Sequence, residues 1–160
     1  MKTPGRWSGV RPVVCALFLG LAALPWQVAA QAPAGEPIKI GAVLSLTGPG
    51  AGLGLAERSG IQLAEKVINE RGGIKGRPLK ILIEDDGSKA DIAKSKAENL
   101  IFGEKVKLII GPSLTASTGA VAAITNAQQM GQIAITGLGP QIELSYKSLY
   151  HMMPPQALNA

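Results

Sequence analysis

IKIGAVLSLTGPGAGLG, residues 38–54, joins a short run rich in Ile, Val and Leu directly to a loop of alternate glycines. A β-branched apolar run of this length, stopped by Thr-Gly-Pro-Gly, predicts a strand that ends at a tight turn. Three further runs share its character: LKILIE at 79–84, VKLII at 106–110 and QIAIT at 132–136. The third and fourth are apolar enough to predict burial on both faces.

Between these runs the spacing of apolar residues lengthens to that of a helix. Ile61, Ala64 and Ile68 recur at i, i+3 and i+7 in a helix expected from Leu55 to Arg71, ended by Gly72-Gly73. A second helix is expected over Ala90–Phe102, with Ala93, Ala97, Leu100 and Ile101 inward and Lys94, Lys96 and Glu98 toward water. A third is expected over Ala116–Met130, burying Ala120, Val121, Ile124 and Ala127, and Leu149–Met152 offers one more strand. Strands alternating with helices require right-handed crossovers. The expected fold class is α/β, a doubly wound parallel sheet of about four or five strands with helices on both faces.

The segment ahead of this unit has a different character. Residues 1–11 are basic, residues 12–25 (PVVCALFLGLAALP) are almost wholly apolar, and small residues surround Ala30 and Ala32. This is the layout of a secretory signal peptide over residues 1–32, followed by a flexible leader at 33–37. Spanning a bilayer as a helix takes roughly 20 residues, longer than this apolar run. Cys15 is the only cysteine and lies inside the signal, so the exported part has no thiol for a disulfide, a metal or nucleophilic attack. The basic excess is also concentrated at the front. Without Lys2, Arg6 and Arg11, residues 31–160 carry 13 basic against 11 acidic side chains, a balance that gives nucleic acid no reason to bind.

In an open parallel sheet, ligands bind outside the carboxyl ends of the strands, so the loops at 45–54, 84–91, 111–117 and 136–140 are the places to search. The first loop is not a dinucleotide fingerprint. Gly48, Gly50, Gly52 and Gly54 would need a companion at 53 or 55, where leucines stand, and their simplest reading is a flexible turn. Glu84-Asp85-Asp86 reads as solvated strand-end carboxylates, with Asp86 or Ser88 turning the chain, rather than as a metal site. His151 is the only histidine, so Ser45, Thr47, Ser113, Thr115 and Ser117 are hydroxyl donors without an activating base. No enzymatic activity, cofactor or metal is expected. Thr115 has two readings, an N-cap bonded to its own backbone or a hydroxyl turned to a bound carboxylate. Leu53 is either a partly buried loop residue or the wall of an apolar pocket.

IKIGAVLSLTGPGAGLG, the helix ending INERGGIKGRPLKILIEDDGS, and the later IIGPSLTAS and IAITGLGP together resemble the amino-terminal part of the periplasmic substrate-binding proteins of branched-chain amino-acid ABC transporters, the leucine-binding type. The resemblance implies one incomplete lobe, residues 38–160, of a two-lobed periplasmic protein. Such a protein captures an amino acid of branched-chain type, or a related small carboxylate ligand, for a membrane permease. A ligand-sensing receptor domain of the same fold is the alternative. By position, the resemblance implies that Thr115 contacts the ligand with Ser117 and Thr118 nearby, that the carbonyl of Leu138 lies near the ligand ammonium, and that Leu53 packs on the ligand. Pro140 departs from the Thr usual there and removes a hydroxyl and an N–H, which opens the ligand class to amides, urea or aromatic acids. Family members run more than twice this length, so the sheet is expected to leave apolar surface uncovered where their return segments would lie.

Overall fold

Five strands form a single sheet in the order β2-β1-β3-β4-β5, with every neighbouring pair parallel. In chain order the elements are β1 (Ile38–Leu44), α1 (Ala51–Glu70), β2 (Leu79–Asp85), α2 (Ala90–Glu98), a π turn (Asn99–Gly103), β3 (Leu108–Ile110), α3 (Thr115–Ala127), β4 (Gly131–Ala134) and β5 (Leu149–His151). The computed structural model describes residues 33–137 and 145–152, so the signal segment, Leu138 and Pro140 lie outside the described residues.

From β1 the chain winds outward to β2, then crosses back over β1 to β3 and continues to β4 and β5. With right-handed crossovers, this reversal puts α1 on one face and α2 and α3 on the other. The main core lies under α2 and α3, where Val43 and Ile109 meet Ala93, Ala97, Leu100, Val121 and Met130. Strand register carries the alternation across the sheet. Gly41 pairs with Leu82 on one side and Ile109 on the other, and Ile109 pairs with Gln132. Gly41 has no room for more, because a Cβ there would stand 2.6 Å from Ile109 Cδ1.

Several expectations are corrected. Helix α1 begins at Ala51 rather than Leu55, so Gly52 and Gly54 are helical residues and not part of a flexible turn. Ala64 is exposed while Ile61 and Ile68 are half-buried, because the helix turns Gly54, Ile61 and Ile68 to the sheet. Helix α2 stops at Glu98, and the wider π turn, with the Glu104 N–H on the Asn99 carbonyl at 3.1 Å, lets the adjacent Leu100 and Ile101 both face inward while Phe102 points out. In α3, Ala127 is exposed, and Ser117, Thr118 and Thr125 are buried beside Val121 and Ala122. Burial of β3 and β4 on both faces is not realised. Leu108, Ile110 and Ile133 are only half-buried, since α1 covers the β1–β2 end of its face and leaves the rest. On the exposed surface stand Leu55 and Leu63 of α1 and Tyr150 of β5, the last two 62% exposed. Among the described residues, no helix is long and apolar enough to cross a membrane.

Candidate functional site

The reversal of winding between β1 and β3 opens a crevice beyond their carboxyl ends, the usual ligand position in open α/β sheets. Its wall on the β1 side is the loop 45–50, followed by the first turn of α1. Asp85, the last residue of β2, organises this loop. Its Oδ1 accepts the N–H groups of Leu46 at 2.9 Å, Thr47 at 3.2 Å and Gly87 at 2.9 Å, and its Oδ2 accepts the Thr47 hydroxyl at 2.7 Å. The expectation of solvated strand-end carboxylates is therefore corrected outright at Asp86, which is buried, while Glu84 and Asp85 stay partly exposed but are engaged by donors. Glu84 accepts Lys96 Nζ at 2.7 Å, Asp85 is filled by donors, and Asp86 is wholly buried with its Oδ1 on the Ser88 N–H at 2.8 Å, which makes the chain turn foreseen there.

On the β3 side, the loop 111–114 leads into α3. Ser113 is buried and joins three elements: its Oγ accepts the Ser45 N–H at 3.0 Å and donates to the Glu57 carboxylate of α1. Leu114, not Thr115, is the N-cap of α3, and no side chain caps the helix. The N-cap reading of Thr115 is thus corrected. Its hydroxyl instead crosses to the end of β4, donating to the Gly137 carbonyl at 3.1 Å and lying 3.4 Å from the Thr136 hydroxyl. The first-turn amides of α3 carry the partial positive charge of a helix start, and among the described residues no side-chain cap bonds them.

The structure brings together only part of the residue set read from the sequence. Thr115 is exposed at the crevice, and Leu53 is 56% exposed on the first turn of α1. Ser117 and Thr118 are buried, and the Thr118 hydroxyl is committed to the carbonyls of Pro112 at 3.0 Å and Leu114 at 2.9 Å. Sequence reading missed Gln132. This wholly buried side chain donates from Nε2 to the Gly111 carbonyl at 2.9 Å and accepts the Thr125 hydroxyl on Oε1 at 2.9 Å, so it braces the loop that presents Thr115. A Gln inside an apolar strand pattern was its only signal. Among the described residues, no group of three or more His, Cys, Asp or Glu is placed to hold a metal.

Burial alone would raise the Asp85 carboxyl, but the Gly87 amide, the Thr47 hydroxyl and the amides of Leu46 and Thr47 outweigh it and hold the group below its ordinary value. A carboxyl whose folded pKa lies below its unfolded one, about 3.9, contributes stability that is present above that value and lost as pH falls through the folded one. The expected result is that wild type is more stable than Asp85→Asn at neutral pH and that this difference shrinks from about pH 5 downward. Urea midpoints of both chains across that range check it. A difference that stays constant with pH would place the effect elsewhere than in the charge.

A family model described as periplasmic binding protein matches residues 37–157, which includes every described strand and helix. The Leu/Ile/Val-binding protein of Escherichia coli (strain K12) is 32% identical over 127 residues, covering 79% of this chain and 34% of that protein. Leu/Ile/Val-binding protein homolog 3 of Brucella melitensis is 31% identical over 105 residues, 66% of this chain and 28% of its own length. The chain thus spans about a third of the length of the curated relatives it matches. Among solved structures, the branched-chain amino acid transporter substrate-binding protein LivJ of Streptococcus pneumoniae, in complex with isoleucine, superposes with a TM-score of 0.72 at 28% identity, over 76% of this chain and 35% of that one. A solute-binding protein of an ABC transporter from Rhodopseudomonas palustris BisB5, in complex with 3,4-dihydroxybenzoic acid, shares the fold, with a TM-score of 0.65 at 23% identity over 72% and 31% of the two chains. By the extent of the family match and the character of these relatives, the chain belongs to the periplasmic binding protein family, in its leucine-binding type, a family of substrate-binding transport proteins rather than enzymes.

Proposed function

We propose that residues 38–160 form the amino-terminal lobe of the substrate-binding component of an ABC importer. It acts outside the cytoplasm, after export on the 1–32 signal, and captures an amino acid of branched-chain type or a related small carboxylate for a membrane permease. The observation that carries this reading is the start of α3, which has no side-chain cap hydrogen bond and lies at the same carboxyl end of the sheet as the first turn of α1, where Leu53 is exposed. The first-turn amide dipoles suit a carboxylate, and the exposed Leu53 suits an aliphatic or aromatic body. The Thr115 hydroxyl, which donates to the Gly137 carbonyl, would join a ligand only by leaving that bond. In this reading Ser117 and Thr118 lie near the bound carboxylate, the Leu138 carbonyl meets the ligand ammonium, and Pro140 lacks the hydroxyl and N–H of the Thr usual there. A receptor role for the same lobe has one observation in its favour. An extracellular ligand-binding receptor from Rhodopseudomonas palustris HaA2 is 30% identical, with a TM-score of 0.64, over 75% of this chain and 32% of that one.

One lobe offers one wall of a cleft, so the 160-residue chain alone is expected to bind weakly, with a dissociation constant above about 1 mM, worth less than about 4 kcal/mol. Isothermal calorimetry with L-isoleucine and with 3,4-dihydroxybenzoate, together with amide NMR shifts at Thr115–Ser117, measures this. Sub-millimolar affinity would overturn the one-lobe reading. Shifts that are absent from α3 and the 45–50 loop at saturating concentrations of both probes would overturn the site.

A further inference from the structure

The loop between β1 and α1 is tied to residues 85–88 at almost every turn. Besides the donors gathered by Asp85, the Ser88 hydroxyl donates to the Thr47 carbonyl at 2.7 Å and accepts the Gly50 N–H at 2.9 Å. The two loops also interlock sterically. Gly48 has φ +79, and a Cβ on it would stand 2.8 Å from the Gly87 carbonyl oxygen and 2.9 Å from Ser88 Oγ. At Gly50 a Cβ would meet Ser88 Oγ at 3.1 Å. The far end of α1 is anchored separately, by the Asn69 side chain, which donates to the Leu79 carbonyl at 2.8 Å and accepts the Leu79 N–H at 2.7 Å. The 85–88 contacts therefore set the front of the helix without carrying its body.

We propose that Asp85 and Ser88 are positioning residues of the binding crevice, a clasp that fixes the path of residues 46–50 and so the place where α1 starts and Leu53 stands. The inference rests on the binding reading above. A loop left free would spread Leu53 over many positions, and ordering it on each binding event would cost affinity. Held by the clasp, the crevice wall is ready before the ligand arrives. Neither residue touches the ligand in this account. They act through the backbone of Leu46, Thr47 and Gly50.

The test is NMR on the full chain, wild type against Asp85→Asn and Ser88→Ala, with Glu84→Gln as a control that breaks only the neighbouring pair to Lys96. Amide hydrogen exchange is expected to speed up about tenfold at Leu46 and Thr47 in Asp85→Asn and at Gly50 in Ser88→Ala, with Val43 and Ile109 unchanged. L-Isoleucine affinity, followed on the Thr115 amide, should fall about fivefold in both variants and stay at the wild-type value in Glu84→Gln. Faster loop exchange with unchanged affinity overturns the positioning role, and so does unchanged loop exchange. Should Asp85→Asn fail to fold, Ser88→Ala decides alone. If wild type shows no shift with isoleucine or 3,4-dihydroxybenzoate, it is the binding reading that fails, and the exchange data still show whether the clasp orders the loop.

Discussion

Replacing Gly54 with alanine is expected to destabilise the packing of helix α1 on the end of β1 by about 2 kcal/mol or more. A Cβ at this position would overlap the Ser45 carbonyl oxygen and stand 2.5 Å from its carbon. Both are backbone atoms at the end of β1. Ser45 cannot yield easily, because its N–H is held by Ser113 Oγ at 3.0 Å and Ser113 is in turn held by Glu57 of the same helix. Alanine is a better helix former than glycine by about 1 kcal/mol, which works in favour of the substitution. Overpacking against fixed backbone costs about 1–3 kcal/mol and sometimes more, and the upper end applies where no rotamer offers relief. The sum is a loss of about 2 kcal/mol or more, a large share of a typical folding free energy of about 5–15 kcal/mol. Gly52, two residues earlier on the same helix, meets nothing within 4 Å, so Gly52→Ala should be neutral or gain up to about 1 kcal/mol. Urea unfolding of the two variants separates these effects, and equal midpoints would refute the close approach of α1 to Ser45.

The second large effect is expected at Gln132. Leucine there keeps the volume but leaves the buried Gly111 carbonyl without its donor, at a cost of about 1–3 kcal/mol. Alanine adds a cavity and should cost about 2–5 kcal/mol. Thr125 is less affected, since its hydroxyl also reaches the carbonyls of Val121 at 3.3 Å and Ala122 at 3.2 Å. Because Gly111 opens the loop that carries Thr115, the Leu variant should also broaden the amide resonances of Thr115 and Ala116. Thermal and urea midpoints, read beside those resonances, check both parts. A Gln132→Leu chain as stable as wild type would mean that the Gly111 carbonyl finds another partner.

The sheet was legible because its signal is local. Short β-branched runs closed by Gly or Pro, separated by helical spacing, leave the parallel arrangement as the main solution, and the switch-point rule then selects the loops that matter. Helix starts were harder, since Gly52 and Gly54 carry a turn signature while their helical role depends on the Ser45 backbone lying alongside. The site residues divide in the same way. Thr115 could be placed at a helix start from its neighbours, but its bond to Gly137 lies 22 residues away. Asp85 looked like a solvated acid because its partners at Leu46 and Thr47 are 39 and 38 residues distant. Gln132 was hidden because alternation marks which residues point inward and does not mark which buried polar group meets a partner.

The strand order has a consequence for how the protein is made. Among the described elements β1 is synthesised first, yet it sits between β2 and β3, so its two edges find partners only at Leu79–Asp85 and then at Ile109–Ile110. A nascent chain halted before residue 109 would hold a strand with one open hydrogen-bonding edge and helix α2 without the sheet surface that Ile109 completes. Parallel pairings of such long sequence separation are slow to close and exposed to aggregation while they wait. For this lobe, the vulnerable interval during synthesis is therefore set by the position of β3 in the chain.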